Sequence, residues 1–272
     1  MAHSLQERYG KLVLAKMRKT LITKDNMIFN TRYEGNPVAG AVKVPVRGEV
    51  EVSDYDKASG VAATEGSTTY KTITITHDKA INEVIDGYDA AAVPDGIVAD
   101  RLDSAGYGLA KTLDADGLNV LATQGTALED TTALTKTTAY EAIVDAFTKL
   151  SENDATLENR WVIVKPAVNA LLLKSTDYVK QSNLSQELVA KGVVGQVGGF
   201  NVFISNNMPT DVEFIAGHSD YCTRINEWAV PVHIQDLNGS GSFIGASAVQ
   251  GRMVYEHAVT EPKGILVKKV AG

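Results

Sequence analysis

The sequence holds a single cysteine, Cys222, among 272 residues, so no internal disulfide can staple the fold. The simplest reading is a reduced thiol packed in the core of a cytosolic protein, with an intermolecular bond or a reactive site as alternatives. No apolar run approaches the roughly 18 to 20 residues needed to cross a bilayer. Nor does the N-terminus carry a continuous apolar segment followed by a cleavage site. These absences predict a chain that is neither secreted nor membrane-spanning, which removes meaning from the sequons at Asn183 and Asn238. Positive charge is in deficit as well: 26 Lys and Arg face 33 Asp and Glu, a formal net charge of −7. That argues against tight, sequence-independent binding of nucleic acid, which needs a concentrated basic surface to neutralise phosphates.

The spacings that carry chemistry are also missing. His3, His77, His218, His233 and His257 never pair at i, i+4, and one cysteine cannot form a zinc knuckle. His233 and His257 fall in predicted strands and read as structural. Gly217-His218-Ser219-Asp220-Tyr221 starts like a nucleophile elbow, but Tyr221 stands where the sharp turn needs a second glycine. Ser219 or Asp220 is therefore read as a helix N-cap. A serine hydrolase using Ser219 remains the minor alternative. The run from Gly192 to Gly199 lacks the Lys-Ser/Thr of a phosphate loop and reads as a flexible turn. Gly239-Ser240-Gly241 lacks the strand-to-helix context of a dinucleotide site. The acid pairs Asp54/Asp56 and Asp114/Asp116 read as solvated faces. No catalytic, cofactor or metal site is expected, and the chain is not expected to be an enzyme.

What is present is an asymmetry. Residues 1–24 hold Arg8, Lys11, Lys16, Arg18, Lys19 and Lys24 against one acid, Glu7, which puts a basic arm on an acidic body. Leu5, Tyr9, Leu12, Val13, Met17 and Leu21 recur at helical spacing, so the arm can form an amphipathic helix, either docked on the body or bound to a partner. With 44% hydrophobic residues, the remainder can bury a core of one large domain or two modest ones. Seven prolines and 23 glycines among short apolar runs favour a strand-rich body.

Strong alternation over 41–52 (Val42, Val44, Val46, Val50, Val52) and 68–76 (Ile73, Ile75) predicts two long strands. Between them, 54–67 is rich in Ser, Gly, Ala and acids, with only Tyr55 and Val61 to bury: an exposed hairpin tip. A two-stranded hairpin is marginal in water, so a neighbouring subunit is expected to supply its missing face. From Pro94 the period turns helical, with Val98, Leu102, Ala105, Leu109, Leu113 and Val120 on one face, giving a rod of roughly 45 Å over 94–123. Gly106, Gly108 and Gly117 weaken it by about 1 kcal/mol each, so packing must hold it, and they would admit another backbone closely. Thr138 and Glu141 form a capping-box pattern opening a helix over 138–151. Further on the reading gives a buried strand at 161–164, a helix from Pro166 to Leu173, and short helices at 184–190 and 219–225. Strands are expected at 200–204, 212–216, 228–234, 251–259 and 264–270, with no internal repeat or low-complexity linker.

This order of elements resembles the major capsid protein of tailed bacteriophages, the Hong Kong 97-like fold. Three phrases carry the resemblance most directly: Ala41-Val42-Lys43-Val44-Pro45-Val46, Arg160-Trp161-Val162-Ile163-Val164-Lys165-Pro166, and the run from Gly199 to Pro209 containing Asn206-Asn207-Met208. The ending from Gly251 to Pro262 adds a fourth. The resemblance implies an α+β fold divided into an N-terminal arm (1–35), an extended loop (36–92) and a peripheral domain with a spine helix (93–160). An axial domain (161–231) and strands returning to the peripheral domain (232–272) would complete it. It implies a subunit that self-assembles into an icosahedral shell of pentamers and hexamers around phage double-stranded DNA, held non-specifically. The protein would reside in the virion after assembly in the host cytoplasm. A portal and, since no long charged helical extension is seen, a separate scaffolding protein would be its partners, with a decoration protein as an optional third. No crosslinking trio of lysine, asparagine and glutamate can be assigned, so the shell is expected to be noncovalent. The expected interface residues are Asp54, Tyr55, Asp56, Lys57, Val61, Glu65, Arg101 and Lys111. An encapsulin-type compartment shares the fold, and a non-shell phage structural or adhesion protein is a further alternative.

Overall fold

The computed structural model describes residues 18–23, 26–33, 35, 40–47, 50, 52–63, 65–88, 97–175, 193–238 and 244–270. The arm before Arg18, the start of the rod at Pro94, the short helix expected at 184–190 and the Gly239-Ser240-Gly241 loop lie outside them.

The first alternating run forms β1 (Ala41–Arg47), paired antiparallel with β2 (Thr68–Thr74) in the register Ala41↔Thr74 to Arg47↔Thr68. Val42, Val44 and Ile73 thereby share a face. The strand was expected to reach residue 52 but stops at Arg47. Val50 and Val52 are almost fully exposed, so the alternation continues where nothing among the described residues packs against it.

Strand β3 (His77–Asp86) escaped the sequence reading. Its half-buried face is His77, Lys79, Ile81, Glu83 and Ile85, and three polar residues of five hide the apolar period. It pairs with β10 (Ala246–Val259), which pairs in turn with β9 (Cys222–Asp236), in an antiparallel sheet ordered β3-β10-β9. Both long strands exceed the predicted 228–234 and 251–259. The helix expected at 219–225 is one 3-10 turn, Ser219–Tyr221. The next residues are extended because Asn30 bridges them: its N–H donates to the Cys222 carbonyl (3.1 Å) and its own carbonyl accepts from Arg224 N–H (2.9 Å).

Helix α1 (Ile97–Gln124), 28 residues and about 42 Å long, crosses this sheet. Ala105 joins Ile85 and Val249 in one apolar cluster, while Leu118, Leu121 and Ala122 enter a second with Phe29, Ile163, Phe203 and Ile265. Gly117 does not admit a backbone, as expected from sequence, but two side chains. A Cβ there would lie 3.0 Å from the Phe29 ring and 3.1 Å from His257 Nε2.

Helix α2 (Thr138–Glu152) buries Ala139, Ile143, Ala146 and Leu150. The capping box is not formed. Thr137 occupies the N-cap position without a capping side-chain bond, and Thr138 Oγ1 accepts instead from Thr135 N–H (3.0 Å) because the turn of threonines preceding the helix bonds to itself. The second sheet comprises β4 (Thr126–Ala127), β5 (Trp161–Val164), β6 (Val193–Val197), β7 (Phe200–Ile204), β8 (Val212–Gly217) and β11 (Ile265–Lys269), in the order β4-β11-β8-β5-β7-β6. All four residues of β5 are buried, as its unbroken apolar run requires. Helix α3 (Pro166–Leu173) follows it, with Pro166 in the first turn.

The glycine-rich stretch read as a flexible turn is the strand β6 and a two-residue hairpin turn into β7. Gly198 and Gly199 have φ of +51° and +89°, and a Cβ on Gly199 would lie 2.7 Å from the Phe147 ring. The division expected at 231/232 falls inside β9. The terminal strand β11 pairs with β8 and β4 in the sheet of 161–217, not with the long strands before it.

Candidate subunit interface

The β1–β2 hairpin leaves the body as a projection whose two ends behave differently. At its base Val44 and Ile73 are buried against Ile225 and Ala258, with Tyr33, Val42 and Ile75 packed around them. Lys71 Nζ donates to the carbonyls of Val259 (2.7 Å) and Thr260 (3.3 Å). The chain's own β9 and β10 thus cover the base, and the expectation that a neighbour must supply the whole face is corrected there. Beyond the base Val46, Tyr70, Val50, Val52, Tyr55 and Val61 are exposed.

The tip is folded locally. Asp56 accepts from Ala58 N–H (2.9 Å) and the Ser59 hydroxyl (2.5 Å), while its carbonyl accepts from Gly60 N–H (2.8 Å). The Ala58 N–H, then the Ser59 hydroxyl, hold the Asp56 carboxyl below the usual carboxylate range. Asp56 therefore shapes the turn, and Asp54, Tyr55, Lys57, Val61 and Glu65 are presented around it, all exposed. Arg101 and Lys111 stand on α1, a separate element. Arg101 is bound to Glu83 of β3, so its charge is spent within the subunit, whereas Lys111 is exposed.

Three carboxylates missed in the sequence fasten the segment 18–23, α1 and the start of β3 to one another and to the body. Asp114, read as solvated, is fully buried. It accepts from the N–H groups of Ile22 and Thr23 (3.0 Å each) and from Asn207 Nδ2 (2.9 Å), which straps the segment 18–23 across α1. Asp116 accepts from the Tyr255 hydroxyl (2.7 Å), and burial, then that bond, push the hydroxyl's pKa well above its ordinary value. Glu256 accepts from Thr76 N–H (2.9 Å) and Oγ1 (2.7 Å) and lies 3.0 Å from His77 Nδ1, fixing the start of β3. One signal could have found Asp114: it precedes Leu118 by four residues and Leu121 by seven, on the helix face that is otherwise apolar.

Among the described residues no arrangement resembling a hydrolytic site accompanies Ser219. His218 Nδ1 accepts from Asp220 N–H (3.1 Å), so the imidazole itself caps the 3-10 turn, the role expected of Ser219 or Asp220. Burial lowers the pKa of His218. Ser219→Ala is expected to leave thermal stability and particle yield unchanged, and His218→Ala to cost about 1 kcal/mol as a lost cap with assembly retained. Thermal melts and micrographs of both variants check this. A hydrolytic activity abolished by either substitution would overturn it. Cys222 is buried, and burial pushes its thiol pKa far above the ordinary value, consistent with an inert core residue. Among the described residues no cluster of His, Cys, Asp and Glu could hold a metal ion, and no helix is long and apolar enough to cross a membrane.

A family described as phage capsid protein matches residues 58–267. No curated protein matches the chain. Solved structures match along nearly its whole length. One from Mycobacterium phage Che8 is 20% identical with a TM-score of 0.76, covering 97% of this chain and 96% of that one. The capsid structure of the cyanophage P-SCSP1u is 17% identical with a TM-score of 0.77, covering 98% and 93%. The mature capsid of bacteriophage PhiM1 is 13% identical with a TM-score of 0.72, covering 99% and 92%. At these identities the likeness establishes the fold.

Proposed function

The chain belongs to the phage capsid protein family, the shell-building major capsid proteins, and on that premise we propose that it closes into an icosahedron of pentamers and hexamers around double-stranded DNA. The observation that carries the proposal is the two-part hairpin: a base anchored by Val44, Ile73 and Lys71, and a distal half with exposed apolar side chains. A projection fixed at one end and bare at the other reaches out of its own subunit. Around a closed ring each copy both gives and receives such a contact, so modest interfaces add to a stable shell. Within that reading α1 and the β3-β10-β9 sheet form the peripheral domain, and the six-stranded sheet with α2 and α3 forms the axial domain. Asp54, Tyr55, Lys57, Val61 and Glu65 contact the neighbour, Lys111 lies on the flank of the spine, and Arg101 supports β3 from within.

The protein is a virion component, assembled in the host cytoplasm with a separate scaffolding protein and a portal, and noncovalent in its mature form; a decoration protein is an optional partner. The acidic balance of the chain limits adhesion of the shell to packaged DNA, and the basic residues of 1–24 supply a contact for an acidic scaffold or the genome. Electron microscopy of the full chain, expressed with and without a candidate scaffold, is expected to show closed particles or rings of five and six. Monomeric sedimentation with scaffold present would remove the reading. Protein cargo in place of DNA in particles from infected cells would instead favour a compartment of the encapsulin type.

A further inference from the structure

Arg224, near the start of β9, is a buried charge whose hydrogen-bonding capacity is mostly unused. The residue is 8% exposed. Nη1 donates to the Thr23 carbonyl (2.8 Å), while Nε is buried with no hydrogen-bond partner among the described residues. Burial lowers the pKa of the guanidinium, and Asp114 is the acid that opposes this. The Asp114 carboxylate is already filled, however, by the N–H groups of Ile22 and Thr23 and by Asn207 Nδ2, and none of these bonds is to Arg224. A charged donor withdrawn from water without an acceptor destabilises the fold until something supplies one.

The side chain borders open space on two sides. A mainly apolar groove of about 580 Å³ lies between α1 and β9–β10, with Tyr107, Leu113 and Trp228 in its walls. A more polar pocket of about 530 Å³ is bounded by Asn26, Thr31 and Tyr33. Arg224 and Asn226 line both. Since Nη1 is committed to Thr23, the edge left for a ligand is the Nε side, and a guanidinium edge is the geometry that a carboxylate matches with paired bonds. The described chain carries such a carboxylate where its own copy cannot use it. Asp54 is exposed at the hairpin tip and, unlike Asp56, accepts no hydrogen bond among the described residues. Beside it Tyr55 is 76% exposed. Val44 is anchored on Ile225, the residue after Arg224, and β1 runs on to Arg47, about 10 Å further, before the tip begins. The tip is thereby held away from the Arg224 of its own subunit.

We infer that Arg224 is a carboxylate-receiving site for a second copy of the chain: Asp54 of the neighbouring subunit pairs with its guanidinium, and the adjoining Tyr55 packs into the apolar groove beside Trp228. The inference rests on the shell reading above and adds to it the residue that receives the tip. The contact supplies the acceptor that the single subunit withholds from a buried charge, so it is stronger than an ion pair formed at an exposed rim. An unfilled Arg224 also gives the free subunit a reason to associate in one register only, the one that brings a carboxylate to this cleft.

Two experiments on particles of the full chain test it. Arg224→Lys keeps a positive charge near Asp114 but removes the planar fork. A carbodiimide then joins the introduced amine to a carboxylate in contact with it, forming an amide while the reagent takes up the water. Mass spectrometry of digests is expected to find position 224 linked to the peptide containing Asp54, as a dimer on denaturing gels. The link should vanish in dissociated subunits and in the double variant with Asp54→Asn. A link to an acid of the same copy or of a different protein, or no link in particles that form normally, would overturn the inference and leave the shell reading standing. Parent chains that form no particles or rings would remove both. The second experiment leaves Arg224 in place. Singly substituted Asp54→Cys and Asn226→Cys chains are assembled together and oxidised with copper phenanthroline in air, Cys222 staying silent because it is fully buried. Disulfide-linked heterodimers are expected at least tenfold above those formed when Lys111→Cys, exposed on α1, replaces Asn226→Cys. Equal yields from the two pairings would overturn the inference independently of the carbodiimide result.

Discussion

Replacing residues 54–67 by a tight Asn-Gly turn is expected to leave the body folded and to abolish most shell formation. Every described residue of that stretch except Gly60 is exposed, so its removal takes nothing from the core. Stability of the dissociated subunit should change by less than about 1 kcal/mol, as for surface changes generally. Assembly is affected differently, because the lost contacts recur at every hairpin. A loss of only about 1.4 kcal/mol per contact weakens each association tenfold, and closed rings compound that factor. Micrographs and sedimentation of the variant measure the yield; normal shells would show that the tip makes no essential contact. Hydrogen exchange on dissociated protein adds a finer expectation. Amides around Val44 and Lys71 should be protected by the base packing, while those of 52–63 exchange fast and slow down only in the shell.

Acid is expected to destabilise the free subunit through His257. This imidazole is 1% exposed and neither ring nitrogen has a hydrogen-bond partner among the described residues. It is packed 4.7 Å from the Phe29 ring and 5.6 Å from the Tyr255 ring, with α1 closing over it at Gly117. Arg224 of β9 and His77 of β3 are the charged or titratable groups that disfavour its protonation, after burial itself, and together they lower its pKa to about 3. Asp116 of α1 and Glu256 of β10 are the nearby acids, and both are engaged elsewhere, with Tyr255 and with Thr76 and His77. A histidine with a depressed native pKa binds its proton more readily when unfolded, so stability is full above about pH 6.5 and falls as the pH drops toward 3. At roughly 1.4 kcal/mol per unit, the loss by pH 4.5 is about 2 to 3 kcal/mol. Urea titrations at pH 7.5 and 4.5 measure it. His257→Leu should flatten the dependence, with His218 contributing the smaller remainder of the same sign; an unchanged slope in that variant would assign the acid sensitivity to other groups.

Much of the architecture was legible because it rests on periodicity. The alternation of Val42 and Val44, the unbroken Trp161-Val162-Ile163-Val164 and the 3.6-residue stripe of α1 each state a burial pattern directly, and the structure follows them, although the alternation's next member, Val46, is left exposed. What was not legible is whatever depends on a distant partner. Strand β3 hid behind Lys79 and Glu83, of which Glu83 is matched by Arg101 of the helix packed above it. The extended start of β9 depends on Asn30, almost two hundred residues earlier in the chain. Asp114 and Asp116 looked solvated because composition cannot reveal that backbone amides of the strap and a tyrosine hydroxyl converge on them. At the candidate interface the exposed tip was legible from its lack of anything to bury. The anchoring of the hairpin base and the internal engagement of Arg101 were not, since both are settled by side chains from elements remote in sequence.

The position of β11 bears on how the protein is made. Ile265, Leu266 and Val267 are fully buried and lie between β8 and β4, so the six-stranded sheet has a gap in it until residues 265–269 are in place. Leu266 pairs with Thr126 across about 140 residues of sequence, the kind of long-range closure that slows folding. A ribosome-bound chain that has already extruded the hairpin still lacks a finished body to carry it. The projection's own two strands thus pair within about 35 residues of sequence, while the sheet that frames the body waits for β11.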